Sequence, residues 1–153
     1  FQRLSQLMEG AIPGIIIPDL PIEQRQMLEP LVNQKVSPVW LLTPDMQPQR
    51  LQKTLQSAAG MLYCVSRKGV TGQTSPLQNL STFLNKVKEE TSLPLGVGFG
   101  ISQPEDIQAL KGKSDIAIIG SALLNAFNKG GKAALLTKYR ALANEASRPV
   151  IIA

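Results

Sequence analysis

Histidine is absent from the chain, and cysteine and tryptophan each occur once in 153 residues. Without histidine, this sequence can build neither an imidazole general base nor a histidine-ligated metal site, and no metal centre is expected. The lone Cys64 excludes an internal disulfide. It lies in a short apolar run, so a buried and inert thiol is expected, which fits a reducing, cytoplasmic setting. No apolar run approaches the roughly 18–20 residues of a membrane span, so no membrane association is expected. Secretory signals, linkers and internal repeats are missing too, leaving one domain over residues 1–153. The sequence opens on Phe1-Gln2-Arg3-Leu4, inside a helical pattern and without a methionine, as a fragment or a processed chain would.

The net charge is +5, but the sixteen cations are spread along the chain and no basic cluster is interleaved with aromatics. Solvated helix faces account for them, and nucleic acid is not an expected partner. With 43% hydrophobic and 18% charged residues, the composition is that of a globular domain with a sizeable core.

Five apolar, β-branched runs read as strands: 14–18, 36–43, 61–65, 95–99 and 116–119. Helical patterns alternate with them. The first, 22–34, carries Pro30, which should kink it. Asp45 is placed to cap a helix over 48–57, and Gly60 to end it. A helix is expected over 76–90. Ser102 and Glu105 have capping-box spacing before the next one. A short helix over 120–128 is broken by Gly130-Gly131 before a last helix over 132–146. Phe1–Glu9 has the spacing of a helix end, and Val150–Ala153 has no placement. Five strands alternating with helices predict an α/β fold with a parallel sheet and right-handed crossovers.

Three of these strands run into glycine. Ser66-Arg67-Lys68-Gly69-Val70-Thr71-Gly72 follows the third, Gly96, Gly98 and Gly100 punctuate the fourth, and Gly120-Ser121 follows the fifth. Backbone N–H groups at such strand ends, and in the first turn of the next helix, are anion cradles. A dinucleotide site would need its glycines after the first strand, where Pro18-Asp19-Leu20-Pro21 stands instead. A (β/α) barrel binds phosphate with the loops after its last strands and a short extra helix, which matches Gly98-Phe99-Gly100, Gly120-Ser121 and the helix over 120–128.

Four segments, in this order and spacing, also resemble a known family. Ile17-Pro18-Asp19-Leu20-Pro21, Tyr63 through Gly72, Gly98 through Ser102 and Gly120-Ser121 are similar to the tryptophan synthase alpha chain, over about Phe1 to Ser147. The family is a TIM barrel of about 250 residues. It cleaves indole-3-glycerol phosphate to indole and glyceraldehyde 3-phosphate. A beta chain, which holds the pyridoxal phosphate, receives the indole. The resemblance implies no cofactor here. It implies that Gly72, Gly100, Gly120 and Ser121 bind the substrate phosphate. Ile16, Tyr63 and Phe99 would line the indole pocket, with Thr71 near the reacting end, and Asp19, Leu20 and Pro21 would face the beta chain. The family's catalytic glutamate and aspartate belong to the second strand and its loop, before Phe1, so no catalytic residue is expected in this chain. This would make the chain strands four to eight of an eight-stranded barrel, N-terminally incomplete and inactive alone. Its open strand edges at 15–18 and 116–119 would favour self-association. Two other readings stay open: a non-catalytic phosphate-binding half-barrel, and another phosphate-binding barrel enzyme using Asp19 and Lys68.

Overall fold

A computed structural model describes residues 12–65, 76–98 and 100–146. Five strands, β1 (Gly14–Ile16), β2 (Ser37–Leu42), β3 (Leu62–Val65), β4 (Leu95–Gly98) and β5 (Ile116–Ala117), form one sheet in sequence order. Each neighbouring pair is parallel. Right-handed crossovers between strands laid down in order put every intervening helix on the same face. A doubly wound sheet reverses its strand order at a switch point, and the described strands show no reversal. The arrangement is an arc of a barrel.

The helices are α1 (Glu29–Val32), α2 (Pro48–Ser57), α3 (Pro76–Glu90), α4 (Pro104–Leu110) and α5 (Ser121–Ala143), and a 3-10 helix, Ile22–Leu28, precedes α1. The expected helix over 22–34 is therefore split. Pro30 has no N–H for a bond to Gln26, so the α-helical run starts only at Glu29, with Pro30 in the first turn where that donor is not needed. Two expected caps also move. Gln47, not Asp45, holds the N-cap position of α2. At α4 the carboxylate of Asp106, not of Glu105, accepts the backbone N–H groups of Ser102 and Gln103, at 2.8 and 2.9 Å. The expected break at Gly130-Gly131 is a kink inside α5, where Gly131 has φ 62° and ψ −156°.

Burial alternates along β2 and β3, and their register with the other strands divides the sheet into two faces. Trp40, Leu42, Leu62, Cys64, Leu95 and Val97 are buried in one core with Leu51, Leu84, Val87, Ile107 and Leu142 from the helices. The opposite, concave face carries Val39, Leu41, Tyr63, Val65, Ile116 and Ile118, all only half-buried. Cys64 has no exposed surface, and burial pushes its thiol up to about 12, so it is an inert core residue as expected. The Trp40 indole N–H donates to the Ser57 carbonyl at 3.1 Å, tying the end of α2 to the sheet. Asp115 locks β5 to β4 twice: its backbone N–H donates to the Leu95 carbonyl and its carboxylate accepts the Leu95 N–H, both at 2.9 Å. Among the described residues, no helix is long and apolar enough to cross a membrane.

The link from α1 into β2 turns on a non-glycine residue in the left-handed region, Lys35, with φ 63°. Its N–H donates to Val32 O at 2.9 Å, and the Val36 N–H donates to Leu31 O at 3.1 Å. Together these form a Schellman cap, with Val36 and Leu31 in its apolar contact. A side chain at the αL position costs on the order of 1 kcal/mol that glycine does not. Lys35→Gly is expected to raise stability by about that amount in urea melts, with the slope of the transition unchanged.

Candidate functional site

All five strands run in parallel, so their C-terminal ends share one rim. The loops after β1, β4 and β5 reach that rim within the described residues. Thr71, Gly72 and Lys68, after β3, and Phe99, after β4, lie outside them.

Gly100 follows β4 with φ 83°, a conformation that glycine adopts without strain. Gly120 is the N-cap of α5, and its carbonyl accepts the N–H groups of Leu123 and Leu124 at 3.0 and 3.1 Å. Ser121 and Ala122 therefore offer first-turn N–H groups that have no carbonyl behind them in the helix. The positive end of the α5 dipole lies at the same point, and Gly100, Gly120 and Ser121 are all exposed. These three expected phosphate residues stand at the ends of adjacent strands.

Tyr63 is brought next to them by its strand. It pairs in register with Gly96, and Val65 with Gly98. A Cβ at Gly98 would lie 1.9 Å from the Tyr63 hydroxyl oxygen, and one at Gly96 would lie 2.4 Å from the Met61 methyl and 2.9 Å from Ile118 Cδ1. The Tyr63 ring thus leans across β4 toward the glycine rim, in space that only a missing side chain leaves open. Burial raises its phenol above the ordinary tyrosine range, so the group is a neutral hydrogen-bond donor at pH 7. Ile16 lies farther off, on the edge strand, 42% exposed and in register with Val39.

Sequence reasoning missed Leu41, which sits beside Tyr63 on the concave face, and Ile118, which closes over Gly96. Both lie on other strands than Tyr63, so only the pairing register brings them to its face. The concave face of the described strands carries no carboxylate. The geometry provides an apolar surface with one phenol, ending in a rim where first-turn N–H groups of α5 are free of helical partners. That suits a phosphate ester with an apolar body.

Asp19, Leu20 and Pro21 occupy the other end of the rim. The Leu20 N–H donates to Ile17 O at 3.2 Å, and the Gln24 N–H to Pro21 O at 2.9 Å. Pro21 is the N-cap residue of the 3-10 helix and no side chain caps it, so Asp19 does not act as that cap. Between this loop and α2 lies a cleft of 180 Å³, walled by Ile17, Leu20, Trp40, Leu41 and Met46, with Asp19 and Arg50 also lining it. Among the described residues, no group of three or more histidine, cysteine or acidic side chains could hold a metal ion.

A family model described as tryptophan synthase alpha chain matches residues 2–148. A tryptophan synthase alpha chain from Desulfotalea psychrophila is 39% identical over 129 residues, covering 83% of this chain and 51% of its own length. One from Geobacillus stearothermophilus is 35% identical over 151 residues, 93% of this chain and 56% of its own. Among solved structures, Mycobacterium tuberculosis tryptophan synthase superposes with TM-score 0.78 at 29% identity, over 94% of this chain and 56% of that one. Tryptophan synthase subunit alpha from Legionella pneumophila gives 0.73 at 26%, over 94% and 55%. The chain spans about half the length of the curated relatives it matches.

The contact between Tyr63 and Gly98 gives a direct test. Gly98→Ala forces the ring aside and is expected to cost about 1–3 kcal/mol. Tyr63→Ala, by leaving a void, costs a similar amount alone. Once the ring is gone the new methyl has room, so the double variant should be more stable than the sum of the two losses. A double-mutant cycle in urea that gave simple additivity would disprove the contact.

Proposed function

Because the chain belongs to the tryptophan synthase alpha chain family, we propose that it supplies the phosphate-binding half of an indole-3-glycerol phosphate lyase. Its five strands are an arc of that family's TIM barrel. The observation that carries the reading is the placing of Gly100 and Gly120-Ser121 at the ends of adjacent strands, with the Tyr63 phenol against Gly98. In this reading the substrate phosphate accepts N–H groups from those residues and from Gly72. The indole ring lies on the concave face against Tyr63, Ile16 and Leu41, with Phe99 and Thr71 completing the pocket.

The carbon–carbon cleavage needs a general acid and base at the indole and at the glycerol arm. In this reading both come from strands preceding these five, since the concave face described here has no acid. Cleavage then breaks the bond between indole C3 and the glycerol arm, with a proton delivered to C3. The chain's own residues bind the phosphate, orient the ring and keep water from it. No cofactor is held by this chain, and the pyridoxal phosphate is the beta chain's. The loop Asp19-Leu20-Pro21 faces that beta chain, and the enzyme works in the cytoplasm.

An indole alkyl phosphate is expected to bind saturably, and the matching alcohol to bind at least about tenfold more weakly, because each charge-assisted hydrogen bond lost is worth about 1.5–3 kcal/mol. Sulfate should compete with the phosphate. Equal affinity for phosphate and alcohol in calorimetry removes the assignment of the rim.

A second expectation joins catalysis to assembly. Alone, this chain releases no detectable indole from indole-3-glycerol phosphate and self-associates through its open face and strand edges. Adding a polypeptide with the first three strand–helix units of a relative should give a discrete complex in sedimentation and restore indole release. Turnover by the chain alone at the rate of a full alpha chain would refute this, and so would a well-folded monomer at every concentration.

A further inference from the structure

The cleft beside Asp19 lies away from the phosphate rim at the ends of β3 to β5, although Leu41 borders both and Asp19, Leu20 and Pro21 form the loop proposed above to face the beta chain. It lies at the other side of the sheet, between the loop after β1 and α2. Its volume, 180 Å³, leaves room for a small ligand. The apolar side chains of Ile17, Leu20, Trp40, Leu41 and Met46 line it, together with the polar Thr54. Two residues of opposite charge line it from different elements, Asp19 from the loop and Arg50 from the first turn of α2.

The walls are also fixed in advance. Pro18 and Pro21 restrict the loop on either side of Asp19. The Leu20 N–H to Ile17 O bond closes it as a turn. Arg50 Nη2 reaches Glu23 Oε2 at 3.3 Å and ties α2 to the 3-10 helix. A guanidinium has five donors in a planar fork, so that contact leaves donors for a carboxylate. On the opposite wall, Trp40 is anchored through its indole N–H to Ser57 O at 3.1 Å. Such preorganisation lowers the ordering cost of binding.

A ligand matched to this cleft has a compact apolar body, a cation for Asp19 and an anion for Arg50, all within about ten heavy atoms. We propose that the cleft binds a free apolar α-amino acid in its zwitterionic form. The ammonium pairs with Asp19, the carboxylate with Arg50, and the side chain fills the space against Trp40 and Met46. Both charged groups are solvent-exposed, so the affinity is on the order of millimolar.

Trp40 is the only tryptophan in the chain and lines the cleft, so its emission reports on occupancy. L-leucine is the probe, with 4-methylpentanoate and 3-methylbutylamine as the forms lacking the ammonium and the carboxylate. The expected result is a saturable change in emission with leucine, and roughly tenfold weaker binding of each single-charge analogue. Arg50→Met should reduce leucine to the affinity of the amine, and Asp19→Asn should reduce it to that of the acid. Arg50 and Asp19 are both exposed, so neither change threatens the fold. Equal binding of all three compounds, or unaltered leucine affinity in both variants, overturns the zwitterion assignment. Neither an emission change nor heat of binding up to about 50 mM leucine overturns the site itself. None of these outcomes bears on the indole alkyl phosphate titration, so the two readings fail separately.

Discussion

Parallel register between β3 and β4 is the constraint on which the remaining structure depends. Leu62 faces Leu95, and Cys64 faces Val97, on the helix side; Tyr63 faces Gly96, and Val65 faces Gly98, on the concave side. A slip of one residue would turn Leu95 and Val97 out of the core and bring glycines into it. Burial of the Leu62–Leu95 and Cys64–Val97 pairs against the helices opposes that slip, and the double hydrogen bond of Asp115 with Leu95 holds β4 in place against β5. With the register set, the glycines have to face the concave side. That is why the Tyr63 ring finds room there and points at the rim.

The same constraint gathers the candidate anion site. Strands that leave the sheet in one direction deliver their following residues to one edge, so Gly100 and Gly120-Ser121 come to the ends of adjacent strands although twenty residues separate them in the chain. The helix dipole of α5 and the first-turn N–H groups add a field that favours negative charge at that edge. Nothing on the concave face opposes it, because the described strands place no carboxylate there. In the proposed reading these residues bind and orient the substrate, and proton transfer falls to acid groups that the described strands do not carry.

The fold was largely legible in the sequence. The β-branched runs, the glycine strand ends and the alternation with helices gave all five strands and the single parallel sheet, because buried parallel strands need continuous apolar segments. The kink at Gly130-Gly131 was visible for the reason that glycine weakens a helix. The caps were less legible. Asp45 and Glu105 had the right chemistry, yet Gln47 and Asp106 hold the positions, since a cap depends on where the first helical turn begins and that moves by one or two residues with packing. The 3-10 helix before α1 was hidden because local spacing does not separate 3-10 from α geometry ahead of a proline.

The sequence alone determined the order of elements and the lack of any imidazole or internal disulfide chemistry, because each depends on residue type or on short spacing. The contact of Tyr63 with Gly98 was decided only in the tertiary structure, as was the placing of Leu41 on the same face and the cleft between Asp19 and Arg50. These join residues 22 to 35 positions apart, brought together by strand pairing and helix crossover. Such contacts follow from which face each strand buries and in what order the strands lie, and neither is written in any local run of residues.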